Sequence, residues 1–359
     1  MLQQNAIYVL DDDAIDLVYG PTERAEIAAL VNIYASPQTA ASILENPAVL
    51  EQADVIFSGW GGPLMDEQFL MQAPKLKAFF YGGGSLSGVL TPAVWNRGIV
   101  VTTAIVANAI PVAEFTLATI LVSLKQIWRL TRQTREQRRY VNRNTAPGCY
   151  GSTVGLISMG VIARTLLKLL APFDLKVIVY DPFLTAAQTK GLGVENVPLD
   201  ELFRRSDVVS LHTPYLSETE GMITGEHLSL MKHGATFINT ARGEVVRENE
   251  LIETARRRPD LQFILDVTDP EPPEANSPLY ELLNVTLTPH MAGSVGKECR
   301  RMGRYMVEEL KRFLAGEALK WAVTPEVVRN SSHRPVLHIR KPAKRAKRPA
   351  ALSQASGPS

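Results

Sequence analysis

Between Thr153 and His290 the chain alternates short β-branched runs with stretches of helical periodicity, and this alternation restricts its architecture more than any other feature. The runs TVGLI, KVIVYD, DVVSLH, ATFINT, QFILDV and VTLTPH are too short for helices, and most are too continuously apolar for strands with one face in water. A parallel neighbour can be reached only by a crossover, and the intervening segments, such as Val161 to Leu170, have the spacing of crossover helices. Six such strands predict a doubly wound parallel sheet. The first hundred residues repeat the pattern on a smaller scale, with strands near IYVL, DVIFS, KAFFY and IVVTT, which predicts a second α/β unit. A chain of 359 residues with 45% apolar content can bury two cores of this kind.

One long helical run, about residues 110–140, connects the units. It is apolar at first and then carries Arg129, Arg132, Arg135, Arg138 and Arg139, a stripe read as solvated or facing a second subunit. After His290 another helix is expected over roughly Val295 to Leu314, with Met302, Met306, Leu310 and Phe313 at helical spacing on its core face.

The start, MLQQNAIYVLDDD, lacks a basic region followed by an apolar one, and the greasiest stretch, Val112 to Leu124, is short and interrupted by Glu114. A cytoplasmic protein with no membrane span is therefore expected. Cys149 and Cys299 have no second ligand at metal-binding spacing and form no disulfide framework, so no metal is expected. The net charge of +1 conceals an asymmetry, because Ser331 to Ser359 carries seven Lys and Arg and no acid, leaving the rest of the chain net acidic. A folded part with that balance has little to attract nucleic acid, although a basic arm leaves such a partner open. The basic segment has too few large apolar residues to offset its ordering entropy and is read as a disordered tail.

The strand TVGLI runs into Ser158, Met159, Gly160, Val161, Ile162 and Ala163 and then a helix. Backbone N–H groups at such a helix start, together with the helix dipole, receive a pyrophosphate. Aligned on G-x-G-x-x-G the turn reads Ser158, Gly160, Ala163; Ser158 is the departure, and either the turn relaxes around its Cβ or its hydroxyl joins the phosphate contacts. Asp181 ends the next strand about 20 residues further on, where a carboxylate accepts from both ribose hydroxyls and repels a 2′-phosphate. Pro182, Phe183 and Leu184 follow it and offer no cation. The expected cofactor is NAD.

Later strands end at Arg242 in NTARG, at Asp266 and Glu271 in LDVTDPEP, and at His290 in TPHMAGS. In a doubly wound sheet these ends face the ligand crevice. An arginine can clamp a carboxylate through two hydrogen bonds, a histidine can carry the proton that accompanies hydride transfer, and a glutamate beside it stabilises the imidazolium. Singly, each has a bland reading as a surface ion pair, a loop carboxylate or a satisfied core histidine.

Taken in order, VGLISMGVIAR, Asp181, the HTP of His212, Thr213 and Pro214, MKHGATFINTARG, the Glu271 loop and TPHMAG resemble the D-isomer-specific 2-hydroxyacid dehydrogenase family over roughly Ala53 to Leu319. The resemblance implies a Rossmann-type cofactor domain, residues 106–293, inserted into a smaller flavodoxin-like substrate domain of residues 1–105 and 294–330, and a homodimer formed through the cofactor domain. It implies Arg242, Glu271 and His290 as catalytic residues. Gly82, Gly83, Gly84 and Ser85 match the loop that offers backbone N–H groups to the substrate carboxylate. It also implies cofactor contacts from Ser158, Met159, Gly160, Val161, Ile162, Asp181, His212, Thr213, Pro214, Thr240, Ala241, Asp266, His290 and Gly293, with Asp266 near the nicotinamide carboxamide. Ser158 departs from the family pattern, as do Ser87 and Gly88, where many relatives carry an acid and Asn. Related formate dehydrogenases replace the Glu–His pair, so Glu271 argues against that chemistry. An NAD(H)-sensing interaction protein of the corepressor type, with little turnover, is the rival reading.

The loop Ser58, Gly59, Trp60, Gly61, Gly62, Pro63 matches the segment lining the far side of the family's substrate pocket and contains no Lys or Arg. A phosphate leaving water needs paired cations, so the expected substrate is a small, unphosphorylated 2-oxo or 2-hydroxy acid against an apolar Trp60 wall. From Asp181 we expect a higher kcat/KM with NADH than with NADPH, and a narrower gap in Asp181→Ala; equal or better use of NADPH by the unaltered protein contradicts this.

Overall fold

The computed structural model describes residues 3–86 and 88–325; Ser87 and the basic segment 331–359 lie outside the described residues. Strands β1 (Asn5–Val9), β2 (Asn32–Ile33), β3 (Val55–Ser58), β4 (Ala78–Tyr81) and β5 (Val100–Thr103) form one sheet in the order β2-β1-β3-β4-β5. A second sheet takes β6 (Thr153–Ile157), β7 (Lys176–Tyr180), β8 (Glu195–Asn196), β9 (Val208–Leu211), β10 (Thr236–Asn239), β11 (Gln262–Leu265) and β12 (Val285–Leu287) in the order β12-β11-β10-β9-β6-β7-β8. All the strand pairings are parallel. The α/β architecture with a doubly wound parallel sheet and a smaller second sheet is as expected.

Helices cover both faces of each sheet, so consecutive strand residues pack into different cores. In β10 and β11, Phe237 and Phe263 pack with Phe203 on one face, while Ile238 and Ile264 pack with Leu156, Ala113 and Ile120 on the other. In the smaller sheet Tyr8, Phe57 and Phe80 meet Met302, Met306 and Leu310, and Ile7, Ile56 and Phe79 meet Phe69 and Leu70. Each fully buried side chain of this size contributes about 1.5–3 kcal/mol.

The sequence expectation missed β2 and β8, giving four and six strands for five and seven. Both are two-residue edge strands, too short to carry any period. The single helical run over 110–140 is also corrected to two helices, Ile105–Leu124 and Ile127–Gln137. The break is at Gln126, which is buried, left-handed at φ 49°, and donates through its amide to the Gly234 carbonyl. A tertiary contact therefore ends a run whose local pattern continues. The first helix is long and apolar enough to cross a membrane, but Ala113, Ile120 and Leu124 on it belong to the core. The second buries none of its residues, and Arg135, Arg138 and Arg139 are exposed at its end.

The last helix runs Cys299–Ala315, preceded by a 3-10 turn at Gly296–Glu298, and buries Met302, Met306 and Leu310 as the spacing predicts. The spacing does not reveal Glu309, which is fully buried. Its carboxylate accepts from Arg312 (2.5 Å), the Lys320 amide (3.2 Å) and the Trp321 amide (2.9 Å). These bonds hold the segment that pairs beside β5, where Val323 donates to the Val101 carbonyl at 2.8 Å. Breaking a buried ionic cluster from one side costs about 3–5 kcal/mol. Glu309→Ala should therefore lower the melting temperature sharply and Glu309→Gln less so; a Glu309→Ala protein melting with the parent refutes this.

Candidate active site

The strand order reverses once in each sheet, at β6 between β9 and β7 and at β1 between β3 and β2. Crevices outside the carboxyl ends of parallel strands open at such reversals. Here the turns after β1, β3, β4, β9 and β10 face one cavity of about 790 Å³. Its walls include Asp11, Trp60, Gly84, Ser85, Gly160, His212, Arg242, Asp266, Glu271, His290 and Gly293.

Arg242 follows β10. Asn239 brackets the turn, accepting from the Ala241 amide (2.9 Å) and donating to the Arg242 carbonyl (3.0 Å). Gly243 then allows the chain to pass the next loop, since a Cβ there would lie 2.1 Å from the Thr268 carbonyl. That close approach places Arg242 beside the Glu271 loop. Burial pulls the guanidinium below its ordinary pKa, opposed by the charges of Glu271 and Glu244. Among the described residues its one hydrogen bond is from Nη1 to the Ala241 carbonyl, 2.6 Å, which fixes its base and leaves most of its donors for a ligand.

His290 Nδ1 lies 2.5 Å from Glu271 Oε1, with both side chains about one-third exposed at the cavity. A carboxylate can only accept, so Nδ1 carries the hydrogen and Nε2 is the free ring nitrogen. His290 is left-handed at φ 51°, a conformation that costs an L-residue about 1–2 kcal/mol. Asp266 holds it there. Its Oδ1 accepts from Thr288 Oγ1 (2.5 Å) and the Met291 amide (2.9 Å), its Oδ2 accepts from the Ala292 amide (2.9 Å), and its carbonyl accepts from the His290 amide (3.1 Å). Three of roughly four carboxylate lone-pair sites thus serve the histidine's own loop, leaving about one for a ligand.

At the phosphate turn, Ser158 stands where the family pattern has glycine and is left-handed at φ 70°, a conformation glycine adopts without strain. Its hydroxyl is paired 2.8 Å from Thr213 Oγ1 in the HTP loop. Asp181 accepts from the Met159 and Phe183 amides, both at 2.8 Å, and keeps a lone pair on each oxygen for a ribose. Gly160, Val161, Ile162, Thr213, Pro214, Thr240 and Ala241 line the cavity, and Ser158, Met159 and Asp181 are not among its lining residues.

The residues fit a dinucleotide. A Cβ on Gly160 would meet nothing within 4 Å, which is space for an approaching phosphate at the start of helix Val161–Leu170. His212 is buried and its pKa is pushed down to about 4, so the ring is neutral; Nε2 pairs with Ser210 Oγ at 3.0 Å. Its Nδ1 is buried without a partner among the described residues, which a bound polar group would satisfy.

Gly84 and Ser85 line the cavity, whereas Gly83 backs onto the Tyr81 ring, 2.6 Å from where its Cβ would be. Trp60 lines it and is half-buried. Sequence reasoning missed Asn108, whose Oδ1 accepts from the Ser294 amide at 2.9 Å and whose Nδ2 lies 3.0 Å from where a Gly84 Cβ would stand. Nothing in the helix pattern marks it. It also missed Asp11, Asp12 and Asp13, which line the cavity after β1 and were open to the strand-end rule that singled out Arg242 and His290.

Asp266→Asn turns one acceptor into a donor facing backbone N–H groups, a loss of about 1–3 kcal/mol. The variant should melt lower and lose most of its turnover through a misplaced His290; a protein with parental melting and kcat disproves the clamp.

Residues 117–292 match the profile of the D-isomer specific 2-hydroxyacid dehydrogenase, NAD binding domain. The chain is 34% identical over 259 residues to D-3-phosphoglycerate dehydrogenase of Mycobacterium bovis, covering 72% of this chain and 49% of that protein. It is 31% identical over 284 residues to glyoxylate reductase of Korarchaeum cryptofilum, covering 78% and 85%. The crystal structure of D-lactate dehydrogenase from Aquifex aeolicus, complexed with NAD and lactic acid, superposes with a TM-score of 0.66 at 26% identity, over 87% of this chain and 96% of that one. The chain spans about half the length of the phosphoglycerate dehydrogenases it matches and most of the length of the glyoxylate reductase. It belongs to the D-isomer specific 2-hydroxyacid dehydrogenase family and carries that family's NAD-binding domain.

Proposed function

We propose that this chain is an NAD-dependent dehydrogenase that moves a hydride to or from C2 of a small, unphosphorylated 2-hydroxy or 2-oxo acid. The observation that carries the reading is one cavity joining Arg242, the Glu271–His290 pair and the Gly160 turn. Bound NAD supplies the hydride acceptor in one direction and, reduced, the donor in the other. Arg242 holds the substrate carboxylate and the C2 oxygen, and the backbone of Gly84 and Ser85 faces the same carboxylate. In oxidation His290 Nε2 takes the hydroxyl proton as the C2–H bond breaks and the C2–O bond becomes a carbonyl. In reduction the imidazolium returns the proton to the oxygen. Glu271 stabilises the charged ring and fixes its orientation. Residues 106–293 are read as the cofactor domain, and 1–105 with 294–330 as the substrate domain. We read the protein as cytoplasmic and homodimeric; the helix Ile127–Gln137, with Ile127 43% and Trp128 37% exposed, supports a subunit contact.

The choice of an unphosphorylated substrate rests on the walls. Among the described residues lining the cavity, Arg242 is the one Lys or Arg, while Asp11, Asp12 and Asp13 face it from the smaller sheet beside Trp60. A phosphate would meet repulsion there instead of the paired cations it needs. The resemblance to a glyoxylate reductase points the same way, and that to phosphoglycerate dehydrogenases points against it.

Turnover of glyoxylate and hydroxypyruvate with NADH, compared with 3-phosphohydroxypyruvate, is the test. Higher kcat/KM for the unphosphorylated acids is expected, and preference for the phosphorylated one overturns the reading of the pocket. His290→Ala should lower kcat by about 10²–10⁴-fold while NADH still binds. Near-parental turnover in that variant would remove His290 as proton carrier, and absence of turnover with every 2-oxo acid would favour a sensor over an enzyme.

A further inference from the structure

Ser158 is the position at which the phosphate turn departs from its family, and the fold gives the departure a purpose. A non-glycine residue at φ 70° carries a strain of about 1–2 kcal/mol, which glycine at the same place would avoid. The turn is tied to β7 in this conformation, with Ser158 N donating to the Tyr180 carbonyl at 2.8 Å. What the serine adds is its hydroxyl, 2.8 Å from that of Thr213. β6 and β9 are neighbours at the strand-order reversal, so this pair joins the ends of two strands across the cofactor crevice. Thr213 is buried at 3% exposure, yet it lines the cavity, whereas Ser158 does not.

Between two hydroxyls one proton is shared and the other is free. We propose that Ser158 and Thr213 form a hydroxyl relay: Ser158 donates to Thr213, and the Thr213 proton is thereby turned into the cavity as a donor to the pyrophosphate of the bound dinucleotide. An anion in the crevice selects this direction, because it attracts the free proton toward itself, and the two bonds in series polarise each other. Ser158 is in this account a positioning residue that acts through Thr213. The inference rests on the dinucleotide reading of the cavity.

The test is calorimetric titration of the full-length protein and its variants with NADH and with ADP-ribose, which keeps the pyrophosphate and lacks the nicotinamide. Ser158→Ala should weaken both ligands by about 3- to 10-fold, the range for loss of an orienting hydrogen bond. Ser158→Gly should weaken them equally although it relieves the strain and melts higher than Ser158→Ala. Thr213→Val should weaken them at least as much, and adding Ser158→Ala to it should cost nothing further. Recovery of parental affinity in Ser158→Gly would show that turn shape alone matters and overturn the relay. Additive losses in the double variant, or weakening of NADH without ADP-ribose, would do the same. If the unaltered protein binds neither ligand, the cofactor reading fails and the relay with it; parental affinity in all variants removes the relay alone.

Discussion

All the strand pairings in both sheets are parallel, and this constraint shapes everything else in the molecule. Parallel strands are linked by crossovers that cover both faces, so strand interiors are closed to water and to ligands. Polar side chains with chemistry to perform can emerge only where strands end. The two points at which strand order reverses then concentrate those ends: β1 and β3 deliver Asp11 and Trp60, while β9 and β10 deliver His212 and Arg242. The cavity is thus a consequence of winding direction, and its residues come from distant parts of the chain because the strands do.

Within that frame the cavity histidine is held by force. His290 occupies a left-handed conformation that an isolated residue would leave, and the Asp266 carboxylate keeps it there by accepting from Thr288, Met291 and Ala292 around it. Glu271 then fixes the ring from the other side. Ser158 shows the same pattern in the phosphate turn, where a strained residue is retained by a bond to the neighbouring loop. In both places local strain is outweighed by contacts across strand ends; His290 lines the cavity, and Ser158 is tied to Thr213, which lines it.

Much of this was legible in the order of residues. Alternating β-branched and helical segments predict parallel sheets, because period and length are local properties. Asp181, Arg242, Glu271 and His290 were singled out because each stands in or after a strand signal, and the resemblance to the family gave the last three their expected roles. The two-residue strands β2 and β8 and the break at Gln126 were not legible, since pairing partners and the Gly234 carbonyl, not local sequence, create them. The buried Glu309 reads as one more charged residue on a helix until Trp321 and Arg312 are brought to it.

The sequence by itself determined the fold class and the family and singled out the candidate acid–base and cofactor residues, because these follow from periodicity and from motifs of fixed spacing. Only the tertiary structure decided which groups face the cavity with hydrogen-bonding capacity to spare and which are committed to the scaffold. Asp266 and Ser158 both read as cofactor contacts, yet the fold commits most of one carboxylate to the histidine loop and ties the other residue's hydroxyl to Thr213. Asp11 to Asp13 became the wall of a pocket only when β1 was laid beside β3. The physical reason is that a side chain's remaining hydrogen-bonding capacity depends on neighbours that are distant in sequence, and no local pattern records them.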